Sequence, residues 1–205
     1  MAAVVCRRAM VPRPVLWKTE AMKFHKNVDQ IFKEVYKVLE RVRSTDVDPI
    51  VERLLGAEHI YVAGGGRSGL MARAFAMRLM HLGLVAYVVG ETTTPAVQPN
   101  DVLLVCSASG ETQVTVLVSR VAKEIGAHVI AITANRESPI ARVADTLLVL
   151  EAPYKRGPDE GLPSIQYAGS LFEQSMLILS DAMALEIGRI LGRGDHDIGL
   201  SLIHI

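Results

Sequence analysis

The sequence lacks an excess of charge of either sign. Its 22 lysines and arginines balance its 22 aspartates and glutamates, and no run of like charge stands out. Proteins that bind nucleic acid usually carry a basic surface, so this composition argues against a nucleic-acid partner. No apolar run reaches the length that crosses a bilayer, so we expect no membrane partner either.

Cysteine is also scarce. The two cysteines are Cys6, in an irregular N-terminal stretch, and Cys106, inside a predicted buried strand. This spacing argues against a disulfide framework and favours a reducing, cytoplasmic location. No group of His, Cys, Asp and Glu has the spacing of metal ligands, so we expect no metal site.

Half of the 205 residues are hydrophobic, which is enough for one domain with a proper core. We expect an irregular extension over 1–22, a single domain with an N-terminal helical arm over 23–190, and an atypical tail over 191–205. Residues 1–18 carry arginines without acids, as targeting peptides do, but the prolines there favour a disordered segment. The tail does not have the pattern of any element, and we interpret it as non-native or as a truncation junction.

Hydrophobic periodicity alternates between strand and helix along most of the chain. It predicts strands at 59–63, 85–89, 101–107, 128–133 and 145–150, and helices at 24–42, 48–56, 68–83, 111–126, 138–143 and 166–190. Such alternation is typical of a parallel sheet with helices on both faces. Ligands of these sheets bind beyond the carboxyl ends of the strands, where we expect the loops after the first four strands to gather.

A glycine-rich turn, AGGGRSG at 63–69, follows the first predicted strand. Gly64, Gly66 and Gly69 form G-x-G-x-x-G, and Glu91 follows 22 residues after Gly69, so a nicotinamide-dependent dehydrogenase is one interpretation. The chain has no second domain for the other substrate of a dehydrogenase, and Glu91 lies in a turn rich in hydroxyls. A P-loop is excluded because leucine and methionine, not lysine and serine, follow Gly69.

The third predicted strand ends in a second such turn, SASGET at 107–112. It offers the hydroxyls of Ser107, Ser109 and Thr112 at the start of a helix, with Gly110 allowing close approach of the backbone. One interpretation is a cluster of helix caps. A cap needs only one hydroxyl, however, and three hydroxyls suit the terminal oxygens of a phosphate monoester.

These segments carry a family resemblance over about residues 24–190. GGGRSG, SASGET and SPIARVAD (138–145) resemble the sugar isomerase (SIS) domain. FAMRLMHLG (75–83), VVGETTTPA (88–96) and LFEQ (171–174) are similar to the 6-phospho-3-hexuloisomerases within that family. The resemblance implies a flavodoxin-like three-layer αβα sandwich with a five-stranded parallel sheet. It implies interconversion of D-arabino-hex-3-ulose 6-phosphate and fructose 6-phosphate, the second step of formaldehyde fixation through the ribulose monophosphate pathway.

That isomerisation needs no redox cofactor, so we expect none. A base removes a proton beside the carbonyl, and a cis-enediol forms. The resemblance makes Glu173 the base, although its position alone favours an ordinary acid in the first turns of a helix. It also makes His81 a second catalytic group that helps to open the sugar ring; from the residues alone, a cation at a helix C-terminus is the alternative. His81 lies about 20 Å from the glycine turn at helical rise, so this role requires a neighbouring subunit in a homodimer or homotetramer.

The remaining candidates are expected to bind the phosphosugar. Alternatives from the residues alone are a solvated loop charge for Arg67 and a helix cap for Ser68. The candidate substrate-binding residues are Gly66, Arg67, Ser68, Glu91, Thr93, Ser107, Ser109, Gly110, Thr112 and Gln166.

Two rivals stay open beside the dehydrogenase. One is a SIS-type module that binds a sugar phosphate without turning it over; regulators of this kind usually carry a DNA-reading helix-turn-helix, and residues 1–56 contain no basic recognition helix. The other is a different phosphosugar isomerase, such as an arabinose 5-phosphate isomerase, against which the segment MRLMHLG argues.

Overall fold

The computed structural model describes residues 23–154, 164–167 and 169–194. The predicted extension, most of the predicted tail and the segment 155–163 lie outside these residues. In chain order the elements are α1 (Phe24–Leu39), α2 (Ser44–Leu55), β1 (Ile60–Gly64), α3 (Gly66–His81), β2 (Ala86–Val88), β3 (Val102–Cys106), α4 (Gln113–Ile125), β4 (His128–Thr133), α5 (Pro139–Val143), β5 (Thr146–Val149) and α6 (Ser170–Ile190).

The five strands form one parallel sheet in the order β2-β1-β3-β4-β5. The predicted five-stranded parallel sheet is therefore confirmed. The chain runs outward from β1 to β2 and then returns to the other side of β1, where Gly64 pairs with Cys106 of β3. The connections reverse direction between β1 and β3, and in such sheets this is where a crevice opens beyond the carboxyl ends of the strands.

Alternate side chains of the strands form two apolar layers. Val62 and Leu104 belong to the layer packed by α1, α2, α3 and α6. Ala63 and Val105 belong to the layer packed by α4 and α5. All five residues of β3 are buried, as expected of a central strand covered on both faces. The three layers confirm the predicted sandwich.

The helices begin or end three residues or more away from the prediction in three places. α2 starts at Ser44 rather than Asp48, because the Asp46 carboxylate accepts a hydrogen bond from the backbone N–H of Arg43 (3.1 Å) and begins the helix one turn earlier. Pro49 therefore lies inside the helix, where packing of the buried side chains beside it offsets the missing backbone donor. α1 ends at Leu39, and α6 begins at Ser170, after Gly169 with its φ of 83°.

Among the helices that the structure describes, none combines the length and apolar character of a membrane span.

Candidate active site

The glycine turn packs the end of β1 directly against the start of α3. A Cβ on Gly69 would lie 2.5 Å from the carbonyl oxygen of Gly64, and a Cβ on Gly64 would lie 2.9 Å from the backbone of Gly69. Gly66 has a φ of 53°. α3 starts at Gly66, so Ser68 is a buried first-turn residue and the capping position belongs to Gly65. Close strand–helix packing explains Gly64 and Gly69, and the positive φ explains Gly66. Neither reason identifies the ligand.

The turn at 107–112, which follows β3 and is called the hydroxyl turn below, is ordered by its own hydrogen bonds. Ser107 Oγ accepts a hydrogen bond from the backbone N–H of Gly110 (3.1 Å) and lies 3.3 Å from Thr112 Oγ1. Ser109 Oγ accepts from the N–H of Glu111 (3.2 Å). These contacts order three hydroxyls around one turn, directly before α4.

Thr112 occupies the capping position of α4, yet its side chain makes no capping hydrogen bond. Instead, its hydroxyl faces Ser107. The interpretation of this turn as a cluster of helix caps therefore does not account for Thr112. A hydroxyl beside the first turn of a helix, where backbone N–H groups and the helix dipole favour anions, suits a phosphate oxygen.

Gly110 is required by the packing beneath this turn. Its φ is 65°, and a Cβ there would lie 2.2 Å from Ser138 Oγ. Ser138 caps α5 by accepting from the N–H of Ala141 (3.4 Å). The amide of Asn135, after β4, donates to the carbonyl of Ser109 (3.4 Å). The hydroxyl turn is thus supported by the loop that follows the neighbouring strand.

The glycine turn connects the hydroxyl turn to Glu173. On one side, a Cβ at Gly65 would lie 3.2 Å from Thr112 Cγ2, so Gly65 and Thr112 are neighbours. On the other side, Arg67 Nε donates a hydrogen bond to the carboxylate of Glu173, on the first turn of α6. The Glu173 side chain is 10% exposed and that of Arg67 is 57% exposed. One edge of the sheet therefore holds hydroxyls, a guanidinium and a buried carboxylate together.

Two predicted residues have partners that the sequence did not indicate. Glu91 forms an ion pair with Arg73 of α3, and both side chains are about half exposed. Gln166 donates to the carboxylate of Glu34 on α1 (3.1 Å). Thr93 is exposed in the turn after β2. Among the described residues, the ion pair and hydrogen bonds of Glu91 and Gln166 are made to side chains other than Arg67 and the hydroxyl turn.

His81 lies at the far end of α3 from Arg67 and Glu173. It is the last residue of the helix and is 2% exposed. Arg78, one turn before it, lies 3.8 Å from Asp181 on α6, so α3 and α6 run side by side away from the site. Within one subunit the structure therefore does not bring His81 to Glu173, as the sequence already implied.

Glu34 is the residue of this region that sequence reasoning missed. It is 5% exposed although it carries a carboxylate. Its position, three residues after Ile31 and four before Val38, places it on the apolar stripe of α1, and a charged residue in such a stripe is the signal that was available.

The gathered groups suit a phosphorylated polyol. Hydroxyls and helix N-termini bind phosphate oxygens, and a guanidinium binds the oxygens of a sugar or of a developing enediolate. In the described ranges of the chain, no three His, Cys, Asp or Glu side chains converge to hold a metal ion.

Comparison with known proteins assigns the family. Residues 53–166 match the family model of the SIS domain. The chain belongs to the SIS domain family. A Mycobacterium gastri protein named 3-hexulose-6-phosphate isomerase is 40% identical, over 77% of this chain and 78% of its own.

Two further relatives agree. A Bacillus subtilis protein of the same name is 37% identical, over 81% of this chain and 90% of its own. The crystal structure of a hypothetical protein from Methanococcus jannaschii, from which the function of a 3-hexulose-6-phosphate isomerase was inferred, superposes with a TM-score of 0.72. It is 32% identical and covers 87% of this chain and 97% of its own. The predicted family resemblance is confirmed.

Proposed function

We propose that this protein is a sugar phosphate isomerase that interconverts D-arabino-hex-3-ulose 6-phosphate and D-fructose 6-phosphate, as the second step of formaldehyde fixation. The names of the relatives from Mycobacterium gastri and Bacillus subtilis support the reaction. One structural observation carries the proposal. The glycine turn lies beside the hydroxyl turn at Gly65 and holds the Glu173 carboxylate through Arg67.

The phosphate of the substrate binds at the hydroxyl turn in this proposal. Ser107, Ser109 and Thr112 provide hydroxyl donors, and the first turn of α4 provides backbone N–H groups. Binding the non-reacting phosphate fixes the sugar chain relative to the glycine turn. Its binding energy is then available to orient the carbons that react.

Glu173 acts as the base on the open-chain substrate. It removes the proton from C2, beside the C3 carbonyl, which gives a cis-enediol between C2 and C3. The same carboxylic acid returns that proton to C3, while the hydroxyl proton of O2 is lost and O3 gains one. The carbonyl has then moved to C2, and no electron leaves the sugar. Arg67 stabilises the negative charge that develops on the enediolate oxygens.

His81 serves a neighbouring subunit in this proposal. Fructose 6-phosphate closes a ring through its C5 oxygen, whereas the phosphate on O6 keeps the hexulose open-chain. Opening the fructose ring needs a proton transfer between the ring oxygen and the anomeric hydroxyl, for which an imidazole is suited near neutral pH. Its place at the far end of α3 requires that each site takes His81 from a second copy of the chain. Because the side chain is 2% exposed within its own subunit, association must also turn it outward.

The test is a direct assay. Hexulose 6-phosphate is made in situ from formaldehyde and ribulose 5-phosphate, the protein is added, and fructose 6-phosphate is measured after quenching. Formation of fructose 6-phosphate is the expected result. Binding of the phosphosugar in calorimetry without turnover would favour a sugar-phosphate-binding module. Conversion of arabinose 5-phosphate alone would favour the other isomerase activity.

A further inference from the structure

Glu34 on α1 is a buried carboxylate with four neutral hydrogen-bond donors. Its Oε1 accepts from Gln30 Nε2 and from the backbone N–H of Ile165 (both 3.1 Å). Its Oε2 accepts from Ser164 Oγ (2.7 Å) and Gln166 Nε2 (3.1 Å). Three of the four donors thus come from three consecutive residues. A buried charge that accepts this many bonds strongly orders the groups that donate them.

The segment that Glu34 holds leads directly into α6. Ser164 Oγ, besides donating to Glu34, accepts from the backbone N–H of Gln166 (3.0 Å), which closes a small network. Tyr167 then accepts from the N–H of Ser170 (2.8 Å), the first residue of α6. Gln166 and Glu173 are separated by only seven positions, so the direction in which this segment enters α6 decides where the first turn of the helix lies.

The first turn of α6 is the part of the helix that presents Glu173. The backbone N–H of Glu173 donates to the carbonyl of Gly169 (3.0 Å), and a Cβ on Gly169 would lie 3.6 Å from the Glu173 carboxylate. α1 also packs along α6. A shift of the 164–166 segment would therefore move the carboxylate relative to Arg67 and to the hydroxyl turn.

We propose that Glu34 is a positioning residue for the isomerase. By holding residues 164–166 against α1 it sets the start of α6 and the place of the Glu173 carboxylate. This inference rests on the proposed function. It assigns a role to α1, which lies outside residues 53–166, the segment that matches the SIS domain model. It also accounts for Gln166 as a residue held by Glu34 rather than by substrate.

Glu34→Gln is a sharp test because each carboxylate oxygen accepts two bonds. A glutamine lacks the charge, and its NH₂ group would meet two of the present donors whichever way the amide is turned, so side-chain amides or the Ser164 hydroxyl would have to reverse their bonds. We expect kcat to fall by about ten- to a hundredfold, because a small misplacement of a catalytic group slows the chemical step by about that factor. KM should change by no more than about twofold. Glu40→Gln, at an exposed position just after α1, is the matched control and is expected to keep wild-type kcat.

Two readouts distinguish positioning from general destabilisation. Hydrogen exchange at the amides of Ile165 and Glu173 is expected to be faster in Glu34→Gln and unchanged in Glu40→Gln. In a Glu173→Gln background, adding Glu34→Gln is expected to lower kcat no further, because it acts through Glu173. Should Glu34→Gln not fold, Ser164→Ala removes one donor, leaves three bonds, and is expected to lower kcat in the same direction by a smaller factor.

The outcomes separate this inference from the proposed function. Wild-type protein without hexulose 6-phosphate turnover would overturn the proposed function and the positioning role with it, whatever the exchange data show. Wild-type turnover with an undiminished kcat in Glu34→Gln, or in Ser164→Ala if that variant replaces it, would overturn the positioning role alone. So would a kcat loss that persists in full in the Glu173→Gln background.

Discussion

Arg67 and Glu173 are hydrogen-bonded across 106 residues of sequence. The pair joins the turn after β1 to the first turn of α6, with the carboxylate buried and the guanidinium largely exposed. It brings a basic oxygen to the same edge of the sheet as the three hydroxyls after β3. The first prediction concerns this carboxylate.

Glu173→Gln is expected to lower kcat for hexulose 6-phosphate by about a hundred- to ten-thousandfold, the usual contribution of a positioned general base. The amide keeps an oxygen that accepts from Arg67, so the fold and the affinity for the phosphosugar should change little. Steady-state kinetics and calorimetry measure the two quantities. Glu186→Gln, an exposed glutamate on the same helix, is the control. A Glu173→Gln enzyme with wild-type kcat would remove Glu173 from the mechanism.

Thr112→Val is expected to weaken phosphosugar binding by about tenfold, because it removes one hydroxyl donor while keeping the shape of the side chain. The free energy of unfolding should change little, since Thr112 makes no capping bond to α4. Ser119→Ala is the control on the same helix: its hydroxyl donates to the carbonyl of Thr115 (2.8 Å) and is buried, away from the turn. Affinity loss in Ser119→Ala but not in Thr112→Val would contradict a phosphate site at this turn.

Gly110→Ala is expected to destabilise the protein by more than about 1–2 kcal/mol, the cost of left-handed backbone for alanine alone. The excess arises because the new methyl group would clash with Ser138. Gly90→Ala is the matched control, since Gly90 also has a positive φ (94°) but no atom lies within 4 Å of a Cβ there. Urea unfolding of both variants isolates the clash. Equal losses would mean that α5 moves aside without cost.

With fructose 6-phosphate as the substrate, His81→Ala and Glu173→Gln are each expected to be nearly inactive alone and to complement each other when mixed. In a dimer with shared sites, half of the randomly assembled molecules are mixed and have one intact site of two, so about a quarter of wild-type activity should return. Unfolding the variants together and refolding them allows subunit exchange, and mass spectrometry confirms mixed assemblies. Mixed assemblies without activity would place His81 outside the neighbouring site.

The stabilising effect of Glu34 is expected to depend on pH. Burial by itself raises the pKa of Glu34, but hydrogen bonds from Ser164, Gln166, Gln30 and Ile165 more than offset it, and the pKa lies below its ordinary value. A carboxyl with a lowered pKa stabilises the fold above its unfolded-state pKa of about 4.3, and this contribution is lost as the pH falls through the folded-state value.

The difference in unfolding free energy between wild type and Glu34→Gln should therefore be largest near neutral pH and should shrink as the pH falls below about 4. Urea unfolding at several pH values measures this difference. Glu40→Gln should give no such trend. A difference that stays constant down to acidic pH would show that the carboxylate charge does not stabilise the 164–166 network.

The sequence alone determined the sheet, its parallel direction and the two turns that end β1 and β3. Periodicity marks strands and helices, and glycines and clustered hydroxyls mark the turns, because these features depend on residues close together in the chain. The same local information placed the start of α2 one turn late, since Pro49 suggested a helix start that Asp46 in fact supplies.

Only the tertiary structure decided which side chains meet. Arg67 contacts Glu173, Gln166 contacts Glu34 rather than the hydroxyl turn, and Glu91 contacts Arg73. Each contact joins different elements, so it depends on how helices pack on the sheet and not on any local pattern. Glu34 is a further example. In the sequence its carboxylate only interrupts an apolar stripe, whereas in the structure it is buried and accepts hydrogen bonds from the segment before α6.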